Sequence, residues 1–172
     1  MENKKIFILV AIIWIVLIGG FVAVKEYTLK TGQEVLLKTT PVDPRDLFRG
    51  DYVVLRYDIS NIPRKKVVVD GDFKTGDMMY VILDHSEKYA IPVRITKTVP
   101  INDLYIRGIL KSSDRSSFNI EYGIESYFVP EGEGKQIERN AGRNLDVKVV
   151  IDKFGKAVIK VLIVNGQEIK FK

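Results

Sequence analysis

The densest set of chemically capable side chains lies in residues 41–60, PVDPRDLFRGDYVVLRYDIS, where Asp43, Asp46 and Asp51 alternate with Arg45 and Arg49 and lead into Tyr52 and Tyr57. Two carboxylates in different surroundings can divide general acid and general base duties, so Asp43, Asp46 and Asp51 could serve a hydrolase. The interleaved arginines act against this, because a guanidinium beside a carboxylate keeps it ionised and suits an ion-pair network better than a proton donor. A second block, YGIESYFVPE at residues 122–131, adds Glu125, Tyr127 and Glu131. Two uses of these residues stay open. Either they form a satisfied polar network that pins a corner of the fold, or Asp43, Arg45, Asp46, Arg49, Asp51, Tyr57, Glu125, Tyr127 and Glu131 make an exposed surface that binds a partner. No residue receives a catalytic role.

Other chemistries find less support. The chain has no cysteine, which removes thiolate zinc sites, disulfides and cysteine nucleophiles together. His85 is the only histidine and falls in an expected hairpin turn, so neither a histidine triad nor a histidine zinc site is indicated. Asp70, Asp72 and Asp77 lack the spacing of an EF-hand, and Glu131 with Glu133 reads as an acidic loop. Ser60 has no accompanying lysine motif that would activate it as a nucleophile. No metal and no cofactor is expected.

These residues must be positioned by a chain of 172 amino acids that is 46% hydrophobic and 28% charged, a composition that describes a folded globular body and not a disordered one. Its net charge of +5 is spread along the sequence without a basic stripe, which argues against a nucleic-acid partner. Residues 6–24, IFILVAIIWIVLIGGFVAV, run for nineteen positions without a charge. As a helix this stretch spans roughly 28 Å, close to the ~30 Å hydrocarbon core of a bilayer. It exceeds the core of a signal peptide, and no small-x-small cleavage site follows it, so an uncleaved anchor is expected. Lys4 and Lys5 place the amino end in the cytoplasm and the rest of the chain outside.

Beyond the anchor the dominant period is two. Strands are expected over residues 33–39, 52–57, 66–70, 78–83, 90–98, 103–110, 119–124, 145–151, 157–164 and 168–171. Turn chemistry separates them at 84–87, at 152–155 and at the Asn165-Gly166 pair, the last being the strongest hairpin signal. In the closing meander Val147, Val149 and Ile151 are expected to share a face, as are Ile159, Val161 and Ile163, while the apolar residues opposite them imply that part of the other face is covered too. A short helix is expected between Gly134 and Ala141. The fold class is therefore mainly β, a single N-terminal transmembrane helix followed by a β-barrel-like or sandwich domain with one short helix. The anchor occupies residues 1–25 and the domain 26–172.

The run Gly50, Asp51, Tyr52, Val53, Val54, Leu55, Arg56 and Tyr57 resembles the defining motif of the GDYXXLXY family at every named position. Pro41, Val42, Asp43, Pro44, Arg45, Asp46 and Arg49 before it, and the 122–131 block after it, are similar to the family as well. The resemblance implies one N-terminal membrane helix, a β-rich outer domain and company with multipass membrane proteins; it brings no activity with it. The expectation is an extracytoplasmic accessory or binding module, held in the lipid bilayer through residues 6–24 and associating with a multipass membrane protein.

Overall fold

A computed structural model describes residues 2–40, 52–130 and 145–169. The apolar segment forms α1 (Glu2–Thr31), which continues unbroken beyond the expected boundary at residue 25. It is the one helix among the described residues long and apolar enough to cross a membrane. Its C-terminal end is docked: Thr28 is buried, and the Gly32 N–H donates to the Thr28 carbonyl at 2.9 Å. A Cβ on Gly32 would lie 2.7 Å from the Ile151 carbonyl and 2.8 Å from the Thr28 carbonyl, so helix and domain meet where only a glycine fits.

Among the described residues beyond the helix there are twelve strands and two single 3-10 turns. The strands are β1 (Gln33–Lys38), β2 (Tyr52–Val54), β3 (Asn61–Pro63), β4 (Val68–Asp70), β5 (Met78–Asp84), β6 (Ile91–Thr96), β7 (Tyr105–Ser113), β8 (Ser117–Glu121), β9 (Ser126–Phe128), β10 (Leu145–Ile151), β11 (Ala157–Val164) and β12 (Gln167–Glu168). Three sheets result: β1-β10-β11-β12, the ribbon β2-β9, and β3-β8-β7-β5-β6-β4. All pairings are antiparallel except β4 with β6. One continuous core joins them, with Leu37 from the first sheet, Val53 from the ribbon and Val81, Ile106 and Phe118 from the third all fully buried.

The architecture is sandwich-like, and the barrel alternative is corrected because no closed barrel forms. The large sheet ends on β3, whose Pro63 has no N–H to offer a further strand, and on the three-residue β4; the four-stranded sheet ends on a two-residue β12. Short edges of this kind terminate pairing instead of closing it. The expected helix between Gly134 and Ala141 lies outside the described residues.

β10 and β11 have their expected boundaries, β12 is Gln167–Glu168 where residues 168–171 were expected, and Asn165 (φ 51°) with Gly166 (φ 82°) makes the tight turn between β11 and β12. Its facing differs from expectation. Val147 pairs with Leu162 and Val149 with Ile159, so the register slips by one residue between them. This bulge transfers the inward positions of β11 from Ile159 to Leu162 and Val164, leaving Val161 and Ile163 only half-buried on the other side. The covered outer face is real: Val150 is fully buried and its side chain lies against Gly32 at the helix end.

Gly32→Ala should lower the thermal midpoint of the full chain in detergent, at a cost of about 1–3 kcal/mol, because two backbone carbonyls and Val150 crowd the new methyl. Gly20→Ala, with nothing within 4 Å, should leave the midpoint unchanged. Equal effects of the two substitutions would show that the helix end does not pack on the domain.

Candidate functional site

Residues 52–54 of the GDYVVLRY run and residues 126–128 of the second block come together in the β2-β9 ribbon, where Tyr52 pairs with Phe128, Val53 with Tyr127 and Val54 with Ser126. The Leu55 N–H extends the pairing, donating to the Glu125 carbonyl at 2.7 Å. Strand alternation sends Val53, Leu55 and Tyr57 inward, and all three are buried. A buried phenol needs a partner, and Tyr57 Oη donates to the Ile124 carbonyl at 2.6 Å. Tyr122 Oη returns the contact from the opposite segment, donating to the Ile59 carbonyl at 2.6 Å. The Glu125 carboxylate accepts from the Tyr122 N–H at 2.6 Å and the Gly123 N–H at 2.8 Å. It thereby fixes a turn in which Gly123 takes a positive φ of 79°.

Burial first, and the Glu125 charge second, push both phenols above the ordinary value of 10.0. Tyr57 and Tyr122 therefore remain neutral hydrogen-bond donors, and an acid-base role at neutral pH is denied to them. What the arrangement does chemically is clasp: two hydroxyls lock residues 57–59 to residues 122–125, and the Glu125 carboxylate fixes the turn within the second segment.

Of the expected site residues, Tyr57, Glu125 and Tyr127 are brought to this one corner. Tyr127 sits opposite Val53, half-buried, with burial raising its phenol. Asp43, Arg45, Asp46, Arg49, Asp51 and Glu131 lie outside the described residues, as does the whole Asp43, Asp46 and Asp51 set considered for hydrolysis. Ser60 Oγ is buried and, among the described residues, meets no hydrogen-bond partner that could activate it. His85 is exposed and its Nε2 lies 2.8 Å from Gln33 Nε2. Among the described residues no group of three or more His, Asp or Glu side chains is placed to hold a metal ion.

Tyr57 also lines a groove of about 740 Å³. Ile59, Ile62, Pro63, Ile91 and Pro92 make its walls apolar, and Lys38, Lys66 and Asp58 lie along it. Thr40 Oγ1 donates to Asp58 at 3.1 Å, and Tyr89 Oη, also on the groove, donates to Asp146 at 2.8 Å. Sequence reasoning did not reach these residues, which come from three separated segments brought together by long-range pairing. Tyr122 opens the 122–131 block that the sequence singles out, but it was not among the expected site residues; its hydroxyl goes to Ile59, 63 positions away.

A sandwich-like β domain led by a membrane-length apolar helix, with Val53, Leu55 and Tyr57 sealed into its core, defines a recognisable class. The chain belongs to the GDYXXLXY protein family, whose profile matches residues 14–162. Among characterised proteins and solved structures, none matches the chain.

Tyr57→Phe and Tyr122→Phe should each cost about 1–3 kcal/mol, because each leaves a buried carbonyl without its donor. The two phenols also give the wild-type chain an alkaline signature. Their neutral form is favoured in the folded state, so the unfolded chain loses these protons first and stability falls as the pH rises above about 10. Denaturant melts between neutral pH and pH 11 should show a shallower alkaline decline in either Phe variant than in the wild type. An unchanged slope would mean that the phenols are not held neutral by the fold.

Proposed function

We propose that this protein is a membrane-anchored accessory module. Residues 6–24 span the cell membrane with the amino end in the cytoplasm, the β domain stands outside, and the groove beside Tyr57 recognises a multipass membrane protein or another envelope component. The observation that carries this reading is the state of α1. Ile8, Leu9, Trp14, Ile15, Leu17 and Phe21 point to different sides of the helix, and each is about three-fifths or more exposed. An apolar side chain of this size left in water forgoes about 1.5–3 kcal/mol relative to burial, and the cost summed over nineteen residues is relieved by lipid. Lys4, Lys5 and the amino terminus lie on one side of the span, and they favour the cytoplasmic placement of that end over Lys25 and Lys30.

The binding part of the proposal is supported by how the motif is used. Tyr57, Tyr122 and Glu125 are committed to the clasp, which leaves recognition to the surface that the clasp holds in place. The groove volume falls within the ~300–1,000 Å³ of typical binding clefts, and it combines apolar walls with a few charges of both signs.

The test is made with the full chain in native membranes. The protein should stay in the pellet after alkaline carbonate, and a reporter fused after Lys172 should be active only outside the cytoplasm. Crosslinking should recover a membrane partner. Lys66→Glu and Ile91→Asp should reduce that recovery several-fold while leaving the unfolding midpoint within experimental error, because both side chains are exposed. Release by carbonate would overturn the anchor; recovery of no partner would overturn the accessory role; unchanged recovery in both variants would move recognition away from the groove.

A further inference from the structure

We infer that the base of the β domain is a second membrane-contact surface, in which the loop carrying Val99 and Ile101 and the turn carrying Phe154 enter the headgroup layer of an anionic phospholipid bilayer beside α1. This rests on the reading of α1 as a membrane span. Ile101 is 93% exposed, Phe154 61% and Val99 56%, all on connections where polar residues would serve a soluble surface better.

The apolar tips are not scattered. Ile101 and Lys153 line one cleft of about 350 Å³ together with Thr31 and Gly32 at the end of α1. Phe154 follows Lys153 in the turn after β10, and the last residue of β10, Ile151, pairs with Gln33 immediately beyond the helix. The turn that carries Phe154 is held firmly to the body. Tyr105 Oη donates to the Lys153 carbonyl at 3.0 Å, and the Arg107 N–H donates to the Gly155 carbonyl at 2.8 Å. Gly155 itself has φ 73° and lies against the Tyr105 ring, so the turn that presents Phe154 is fixed in shape.

Height along the helix completes the argument. Thr28 is already buried against the domain, and it follows the last apolar residue of the span, Val24, by about 6 Å of helical rise. The headgroup layer of one leaflet is about 5–8 Å deep. If α1 crosses the bilayer, the base of the domain stands in that layer. Lysines are present at the same level: Lys153 Nζ lies 5.1 Å from the centre of the Phe154 ring, and Lys25 and Lys30 lie on the helix between span and domain. An aromatic or aliphatic tip beside an ammonium suits the boundary between acyl chains and phosphates, where one end is apolar and the other wet.

The chain has no cysteine and a single tryptophan, Trp14, which makes the test direct. Ile101→Cys, Phe154→Cys and Arg115→Cys each carry one NBD fluorophore in the full chain, reconstituted in nanodiscs of phosphatidylcholine and phosphatidylglycerol. Arg115 follows β7, whose nine residues run about 30 Å from Tyr105, so it reports on the opposite end. Headgroup nitroxide lipids should quench the labels at 101 and 154 several-fold more than the label at 115, and acyl-chain nitroxides should quench Trp14. Quenched Trp14 with labels at 101 and 154 no more quenched than at 115 would overturn the surface and leave the anchor standing. Unquenched Trp14 would overturn the anchor and the surface with it. Labels shielded from aqueous iodide yet untouched by the nitroxide lipids would indicate a protein cover and likewise overturn contact with lipid.

Discussion

Two carbonyls, those of Ile59 and Ile124, end inside the apolar interior where no strand reaches them, and the fold depends on how they are met. Each receives a phenolic hydroxyl from the other's segment, Tyr122 for Ile59 and Tyr57 for Ile124. An unmet carbonyl at either place would carry a desolvation cost that the surrounding aliphatic side chains cannot offset. Because the bonds are reciprocal, the segment after β2 and the segment before β9 are fixed to each other on both sides of a very short ribbon. Three paired residues in each strand would be a weak connection alone. The clasp therefore explains why a leucine and a terminal tyrosine follow the GDY run: Leu55 and Tyr57 are the buried alternates of a strand that is held at its far end by side chains more than by backbone.

Two described members of the polar corner, Tyr57 and Glu125, each have a structural use in this arrangement. The Glu125 carboxylate accepts a backbone amide at each of its oxygens, and the Tyr57 phenol is held neutral by burial with its hydroxyl given to the Ile124 carbonyl. Tyr57 and Glu125 are pins. The apolar groove lies beside Tyr57, along the segment that the pins hold in register.

How much of this could be read from sequence follows from what each pattern constrains. β10 and β11 were legible to the residue because long apolar runs bounded by Asp152-Gly155 and Asn165-Gly166 turns leave few alternatives. The bulge between them was not, since Val158, Ile159, Val161, Leu162, Ile163 and Val164 are apolar on both faces and alternation carries no parity there. β3 and β9 escaped because three residues, one of them Pro63 in β3, are too few to show a period. The family-defining positions were legible as a motif but not as a clasp: nothing in a linear string states that Tyr57 and Tyr122 will exchange partners across more than sixty residues. The groove was least legible, its walls being contributed by the end of β1, by the turns around Ile59 and by the start of β6.

The tight join between α1 and the domain has a consequence for where recognition can occur. A flexible linker would let the groove face in any direction, but Gly32 leaves no room for a hinge between Thr28 and Ile151, so the strands are held at a set angle to the helix. β1 starts directly at that join and reaches Lys38 and Thr40 on the groove after about 20 Å of extended chain. The groove therefore lies about one strand length from the helix end along the chain. Under the proposed accessory role the same stiffness would lower the entropic cost of engagement, since the groove is already shaped before any partner arrives.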